Sequence, residues 1–373
     1  MTYRIAGSFP VRLCRVSGVL AISLALIQGT RADAQYHFLT SAASRLGADT
    51  TQQFSLNGVD GKIAVGSYTD FSGVQHGYTY DLRSYVTGSF DVTGATSGTT
   101  ANGTSGGTVV GTYNVGEFGL GSASALAYFR KGLTYTTLDA ANYDSTVYFG
   151  SPGSFGWDKT EATGVSGNLV VGTYYRDTFS PFLNGVPNAS GFIFDTNTNT
   201  FTEIDQPDTL VDALGSGSGG THIDGIYGTT AVGNYFDVSG AEHGLLYDIS
   251  GVAFTTIDNP LADGGTTLTG IYGDYAVGEY VLGGASYGFT YNMLTQTYET
   301  LVSPGDASTA YFTGAAASLD SHNLDPILTG YTIDRYGNYN AFWYQAVTPE
   351  PGSYALFGGL LTAGLVLRRK RRK

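Results

Sequence analysis

The pattern Ala/Val-Val-Gly-x-Tyr returns at Gly66, Gly111, Gly172, Gly233 and Gly278, with a weaker copy at Gly330, where Thr332 takes the place of the tyrosine. The intervals are 45, 61, 61, 45 and 52 residues. Eight and five positions ahead of the first five glycines stand two more, as in Gly58/Gly61 and Gly164/Gly167. A short unit repeated at this period cannot bury its own apolar faces and must stack on copies of itself, so the repeat constrains the fold more than any other feature.

Each unit reads as four short strands. The first ends near Gly-Val or Gly-Ile, a tight turn such as Asp60-Gly61 or Ser166-Gly167 follows, and Ala64 to Tyr68 forms the second. Alternation puts Val65 on one face and Ala64, Gly66 and Tyr68 on the other. The third strand starts near Gly77, Gly191, Gly244, Gly288 or Ala341, and the fourth is "YTTLD", "FTEID", "FTTID" or "YETLV". With 54 glycines and 28 tyrosines, the expected fold is all-β: a six-bladed β-propeller of four-stranded repeats over residues 35–346, with a parallel solenoid as the alternative. The sixth unit stops after its third strand, "AFWYQ", and Tyr36–Leu39 has the character of the missing one. Its pairing with Phe342–Gln345 is expected to clasp the ring. The units also resemble the extracellular HAF repeat, whose His-Ala-Phe becomes "HGY" at His76 and "HGL" at His243; that family has no assigned general activity.

The two ends read as addresses. Arg4, Arg12 and Arg15 precede an apolar run from Val16 to Ile27 and then Ala32-Asp33-Ala34, the order of a secretory signal peptide over residues 1–34, cleaved before Gln35. The single cysteine, Cys14, leaves with it, so no disulfide is expected in the mature chain. At the other end Pro349-Glu350-Pro351 precedes a 15-residue run, Ser353 to Leu367. As a helix this run reaches about 22 Å against roughly 30 Å of bilayer hydrocarbon, a marginal membrane anchor. Arg368, Arg369, Lys370, Arg371, Arg372 and Lys373 follow, a cluster that stays cytoplasmic and leaves the body outside. Residues 347–373 thus resemble the PEP-CTERM sorting signal of Gram-negative bacteria, an element also labelled the ice-binding protein C-terminal domain. The resemblance implies an exosortase-type sorting peptidase as partner, a membrane-anchored precursor, and a mature protein at the cell surface or in the extracellular matrix.

Residues 35–347 hold 8 of the 18 Lys/Arg and 29 of the 31 Asp/Glu, a net charge near −21. Such a charge disfavours nucleic acid and anionic membrane surfaces as partners. No phosphate loop, HExxH or EF-hand pattern occurs. His76 and His243 are expected to make strand-end hydrogen bonds, because other units have Ser190 and Tyr287 at that position. Asp70, Asp237 and Asp334 each precede a glycine by three positions, which suits a type I turn. One carboxylate per loop falls short of a calcium site. No catalytic residue, metal or cofactor is therefore assigned.

A ligand site is expected on loops that depart from the repeat. From second-strand to third-strand Gly/Ala the spacing is 10 or 11 in four units, but 16 from Gly111 to Ala127 and 19 from Gly172 to Gly191. These longer loops, roughly 114–124 and 176–190, carry Glu117, Phe118, Arg176, Asp177, Phe179 and Phe182, aromatic and hydrogen-bonding groups suited to a polysaccharide. The sequence thus leads to an exported surface protein with a non-catalytic binding or structural role, polysaccharide-associated. The alternatives are a secreted propeller-type glycan-active enzyme, which carboxylates converging on the central channel would favour, and a passive matrix scaffold.

Overall fold

The first hairpin shows how the repeat folds. Asp60 pairs with Ile63 across Gly61-Lys62, and Gly61 has φ +54°, which the first loop position of a type II′ turn requires. Gly167, with φ +60°, plays the same part ahead of Leu169. The turn therefore sits one residue later than the sequence suggested: Asp60 and Ser166 are ladder residues, and the glycine opens the loop.

The computed structural model describes residues 35–117, 123–140, 159–176, 188–207, 219–301, 307–316 and 326–345. The signal peptide, the C-terminal apolar run and the sorting motif expected from the sequence lie outside them. A compact unit spans Gln35–Ala346. It opens with β1 (Gln35–Phe38) and the single described helix, α1 (Thr40–Leu46), whose Ala42 and Ala43 are buried beside Trp343. Four-strand meanders follow: β2 (Phe54–Asp60), β3 (Ile63–Thr69), β4 (Gln75–Asp81) and β5 (Thr87–Phe90); then β6 (Gly103–Ser105), β7 (Thr108–Glu117), β8 (Ala123–Lys131) and β9 (Thr134–Leu138). Next come β10 (Lys159–Ser166), β11 (Leu169–Arg176), β12 (Asn188–Asp195) and β13 (Thr200–Ile204), and β14 (Thr221–Tyr227), β15 (Thr230–Phe236), β16 (Glu242–Asp248) and β17 (Ala253–Ile257). The last are β18 (Thr266–Tyr272), β19 (Tyr275–Leu282), β20 (Ala285–Asn292) and β21 (Thr297–Thr300), then β22 (Ala307–Ala316), β23 (Ile327–Asp334) and β24 (Tyr339–Gln345).

Four blades are separate four-stranded sheets: β2–β5, β14–β17, β18–β21, and β22-β23-β24 completed by β1. The meanders β6–β9 and β10–β13 share one eight-stranded sheet through a parallel pairing of Lys159 with Ala125. The clasp forms as expected, one residue earlier at its start: Gln35, Tyr36, His37 and Phe38 oppose Gln345, Tyr344, Trp343 and Phe342. His37 stacks on Trp343 at 3.9 Å and Tyr36 meets Phe342 edge-on at 5.3 Å. First and last strands thus share a blade, and the chain is an all-β propeller rather than an open solenoid.

Close backbone approach holds the sheets around their axis. A Cβ added to Gly58 would stand 2.9 Å from the Cα of Gly103, and the same contact recurs from Gly103 to Gly164, Gly164 to Gly225, Gly225 to Gly270, Gly270 to Gly314 and Gly314 back to Gly58, all within 2.9–3.2 Å. Gly314 completes this ring from sixteen positions ahead of Gly330, so the eight-position register of the other units does not reveal it.

The repeat's own glycine has a different task. In five sheet pairs the first strand is irregular just before its ring glycine, as between Leu56 and Gly58. This bulge turns the carbonyl of Ser55 to within 2.0 Å of where a Cβ on Gly66 would lie; at Gly172 the oxygen is that of Glu161, at 1.8 Å. Glycine is required there for space, not for its φ.

Alternation assigns the two faces to two neighbours. Val65 packs with Ala101 and Val109 of the following meander, whereas Ala64 and Tyr68 pack with Ile327, Ala341 and Trp343 of the preceding blade. Val171, Val232 and Val277 likewise belong to the cluster of the sheet that follows. The core therefore lies between sheets. The repeat's tyrosines are buried packing residues whose hydroxyls reach the fourth strand: Tyr68 to Ser89 Oγ at 3.0 Å, Tyr113 to Thr137 Oγ1 at 2.8 Å, Tyr235 to Thr256 Oγ1 at 2.9 Å and Tyr280 to Thr300 Oγ1 at 3.1 Å.

These contacts rank two glycines on one hairpin. Gly172→Ala should destabilise by about 3 kcal/mol or more, since the backbone carbonyl it strikes cannot move aside. Gly167→Ala, whose Cβ meets open space, should cost only the left-handed strain of about 1 kcal/mol. Chemical denaturation of both variants tests the ranking.

Candidate functional site

The inner strands carry the polar groups nearest the axis. The residue before each ring glycine projects toward the next sheet, and five of the six donate to a carbonyl there. Asn57 Nδ2 reaches Ala101 O at 3.0 Å, Asn102 Nδ2 reaches Ala162 O at 2.9 Å and Thr163 Oγ1 reaches Ile223 O at 2.6 Å, while Thr269 and Thr313 donate to Phe312 O and Leu56 O. The sixth is Asp224. All six border a central cavity of about 50 Å³, room for one or two waters.

Two residues earlier on the inner strands lie Ser55, Thr100, Glu161, His222, Thr267 and Tyr311, on the side where the hairpins β7–β8 and β11–β12 turn. The set divides sharply. Ser55 and Thr100 offer only hydroxyls, whereas the arc from β10 to β23 concentrates ionisable groups. Lys159 Nζ lies 2.7 Å from Glu161 Oε1 and 5.3 Å from the Tyr175 ring centroid. Tyr175 OH donates to Glu161 Oε2 at 3.4 Å, and its ring meets His222 edge-on at 6.0 Å. Farther round, Glu242 Oε1 accepts from Asn234 Nδ2 at 2.8 Å and Thr267 Oγ1 at 2.6 Å, and Glu279 Oε2 accepts from Ser286 Oγ at 2.9 Å.

Burial perturbs this arc. It is the largest influence on Asp224, whose carboxyl is pushed up to about 7 with further help from the Glu161 and Glu242 charges. Glu279 is also raised to about 7, chiefly by burial, against hydrogen bonds from Ser286 and the Phe312 N–H. Burial raises the Tyr175 phenol, with the charges of Glu161 and Asp224 adding to it, and lowers His222, favouring neutral imidazole. Asp224, raised toward neutrality, thus feels the charge of Glu161, which is itself paired with Lys159, an arrangement able to bind hydroxyl-rich ligands and to move protons.

The sequence reading assigned none of these residues. Nothing marks them: the position after the repeat glycine is Ser67, Thr112, Thr173, Asn234, Glu279 or Tyr331, and the available cue was the lone acidic residue in that column. Of the predicted ligand residues, Glu117 ends β7 and Arg176 ends β11. Phe118, Asp177, Phe179 and Phe182 lie outside the described residues, as do Pro349, Glu350, Pro351 and the basic tail from Arg368 to Lys373. Part of the first expected loop is strand: Asn114, Gly116 and Glu117 pair with Ala125, Ser124 and Ala123.

His76 and His243 occupy equivalent bridges. His243 Nδ1 lies 2.9 Å from Asp258 Oδ1 and Nε2 lies 3.4 Å from Asp237 Oδ2, with the ring stacked on Tyr235 at 5.2 Å. His76 repeats this with Asp91, Asp70 and Tyr68. Asp237 also accepts from the Ser239 hydroxyl and the Ser239 and Ala241 N–H groups, which hold its carboxyl near 2, the hydroxyl contributing most. The turn role expected for Asp70 and Asp237 is thus present. Among the described residues, no group of three or more His, Cys, Asp or Glu is placed to hold a metal ion, and no helix is long and apolar enough to cross a membrane.

No protein-family model matches the chain, and no curated protein matches it. Several solved structures are similar to it over most of its length. A mutant of AofleA from Arthrobotrys oligospora is 8% identical, with a TM-score of 0.45 over 85% of this chain and 91% of that one. The β-propeller domain of the Trilobed protease from Pyrococcus furiosus is 9% identical, with a TM-score of 0.42 over 80% and 99%. The tricorn protease is 13% identical, with a TM-score of 0.43 over 77% of this chain, which spans 26% of that protease.

The histidine bridges carry a pH signature. Although burial, the largest single influence, opposes it, the partnership with Asp258 and Asp237 raises the His243 pKa above its ordinary value. The stabilisation is therefore complete below about 6.5 and is lost as pH rises through the raised value. His243→Gln should lower the melting temperature more at pH 5 than at pH 9, the difference staying small because the partner carboxylates are solvent-screened.

Proposed function

We propose that this is an exported cell-surface or matrix protein of a Gram-negative bacterium, sorted through its PEP-CTERM signal, in which a six-bladed propeller binds extracellular polysaccharide without transforming it. The blade count takes the meanders β6–β9 and β10–β13 as two blades, supported by their single joining pair and by the six-membered glycine ring. The binding reading rests on one juxtaposition. Lys159 pairs with Tyr175 across β10 and β11, and Arg176, where the longest second-to-third-strand insertion begins, directly follows Tyr175. The expected ligand loop therefore springs from β11, which carries Tyr175 of the ionisable arc and pairs with the strand of Lys159 and Glu161. Rigid strands supporting an enlarged loop suit recognition of a long, hydroxyl-rich chain.

A second reading, a glycan-active enzyme, is favoured by the carboxyls of Asp224 and Glu279, both shifted upward, and by a His222 whose burial favours the neutral imidazole. One experiment separates the two. The purified protein is probed on a glycan array, and each bound polysaccharide is then assayed for new reducing ends or unsaturated sugars. Binding without products, abolished when residues 177–187 are shortened to the common spacing, is the expected result; products that disappear in Glu161→Gln would establish the enzyme. The sorting reading is tested separately. Intact mass of the native surface protein should show the loss of the tail through Lys373, and its retention would overturn exosortase processing.

A further inference from the structure

Five links of the inner ring share one chemistry and the sixth does not. At Asn57, Asn102, Thr163, Thr269 and Thr313 an amide or hydroxyl donates to the carbonyl two residues before the next sheet's ring glycine. Asp224 occupies the same register: it lies between Ile223 and Gly225, where the β14–β15 ladder shifts as the β2–β3 ladder does at Asn57. Gly225 also packs against Gly270 as the other ring glycines pack in turn. The matching acceptor is Leu268 O, two residues before Gly270. An ionised carboxylate has no proton to give it, and two facing oxygens repel.

We propose that Asp224 carries a proton in the folded protein at neutral pH and below and donates it to the Leu268 carbonyl, completing the ring at the β14–β18 seam and making that seam the pH-sensitive one. The surroundings favour the protonated form. Burial bears on the carboxyl most, and the charges of Glu161 on β10 and Glu242 on β16 add to it. Lys159, the cation of this arc, is engaged by Glu161 at 2.7 Å. Tyr175 on β11 and His222 on the same strand complete the ionisable neighbours, and burial favours the neutral form of both. Because the folded-state pKa is raised from 3.8 to about 7, this contribution is complete below about 4 and declines as pH rises toward 7, by up to tenfold in the folded-to-unfolded ratio per pH unit. The inference does not depend on the binding reading.

Two substitutions separate donation from charge relief. Asp224→Asn keeps a donor at every pH, as Asn57 and Asn102 do, whereas Asp224→Ala removes both donor and charge. At about pH 3.5, below the unfolded-state value, the wild type and Asp224→Asn should be about equally stable and Asp224→Ala weaker; at pH 8 Asp224→Asn should exceed both. Glu279, which titrates in the same window, is common to all three and cancels in the comparison. Equal stability of the two variants at both pH values would overturn the proposal, since simple repulsion predicts that outcome. Side-chain carbon NMR of the wild type supplies a measurement that needs no variant: an Asp224 carboxyl titrating near 4 rather than near 7 would also overturn it.

Discussion

Six inner strands meet glycine to glycine, and nearly everything else in the propeller follows from that approach. A side chain at Gly58 would strike both the Asn102 carbonyl and the Gly103 backbone. With hydrogen there instead, the inner strands draw together until backbone touches backbone and the axis retains a cavity of only about 50 Å³. Sheets brought this close at one edge splay apart toward the other because they twist. The widening wedge must be filled by larger groups: alanine and valine on the second strand, then Tyr78, Phe192, Phe289 and Phe342 on the third. The gradient from glycine to aromatic along each blade is thus a consequence of ring geometry.

Such closeness creates a polar problem that side chains resolve. Bulges next to the ring remove backbone groups from the ladders, and those groups face a neighbouring sheet rather than water. A buried carbonyl or N–H left alone costs about 1–3 kcal/mol. Two seams answer by gripping one residue of the next strand from both sides. Ala101 donates its N–H to Ser67 Oγ at 3.2 Å and accepts from Asn57, while Ile223 donates to Thr173 Oγ1 at 3.1 Å and accepts from Thr163. Small hydroxyl and amide side chains suffice for this, which is why carboxyl groups at Asp224 and Glu279 stand out against the pattern.

How much of this was legible follows from where the constraint acts. Gly58, Gly66 and their counterparts were visible because a steric demand on backbone admits one residue type and so leaves a fixed spacing. The clasp was visible because "AFWYQ" lacked a partner and "YHFL" matched its aromatic alternation. Gly314 escaped because a longer hairpin between β22 and β23 moves it out of register. The fourth strand of the first blade, Thr87–Phe90, escaped because "TGSF" lacks the Tyr/Phe-Thr pattern of its counterparts. The ionisable arc left one cue in the sequence, Glu279, the lone acidic residue in the column after the repeat glycine. Glu161, His222 and Glu279 come from three separate repeats, at positions filled elsewhere mostly by serine or threonine, with Asn234, Tyr311 and Tyr331 as the other departures.

Ring closure also links stability to the order in which the chain becomes available. β1 is the first described strand and β24 the last, so their pairing has the longest loop to close in the chain, and closure entropy rises only slowly with that length. What resists opening is local: four residue pairs and the rings of Tyr36, His37 and Phe38 against Phe342 and Trp343. On the proposed export route Gln35 becomes free at signal cleavage while Gln345 emerges just ahead of the sorting motif. Every sheet except the clasped one can then form as its own strands arrive, and the blade that completes the ring must wait for both ends.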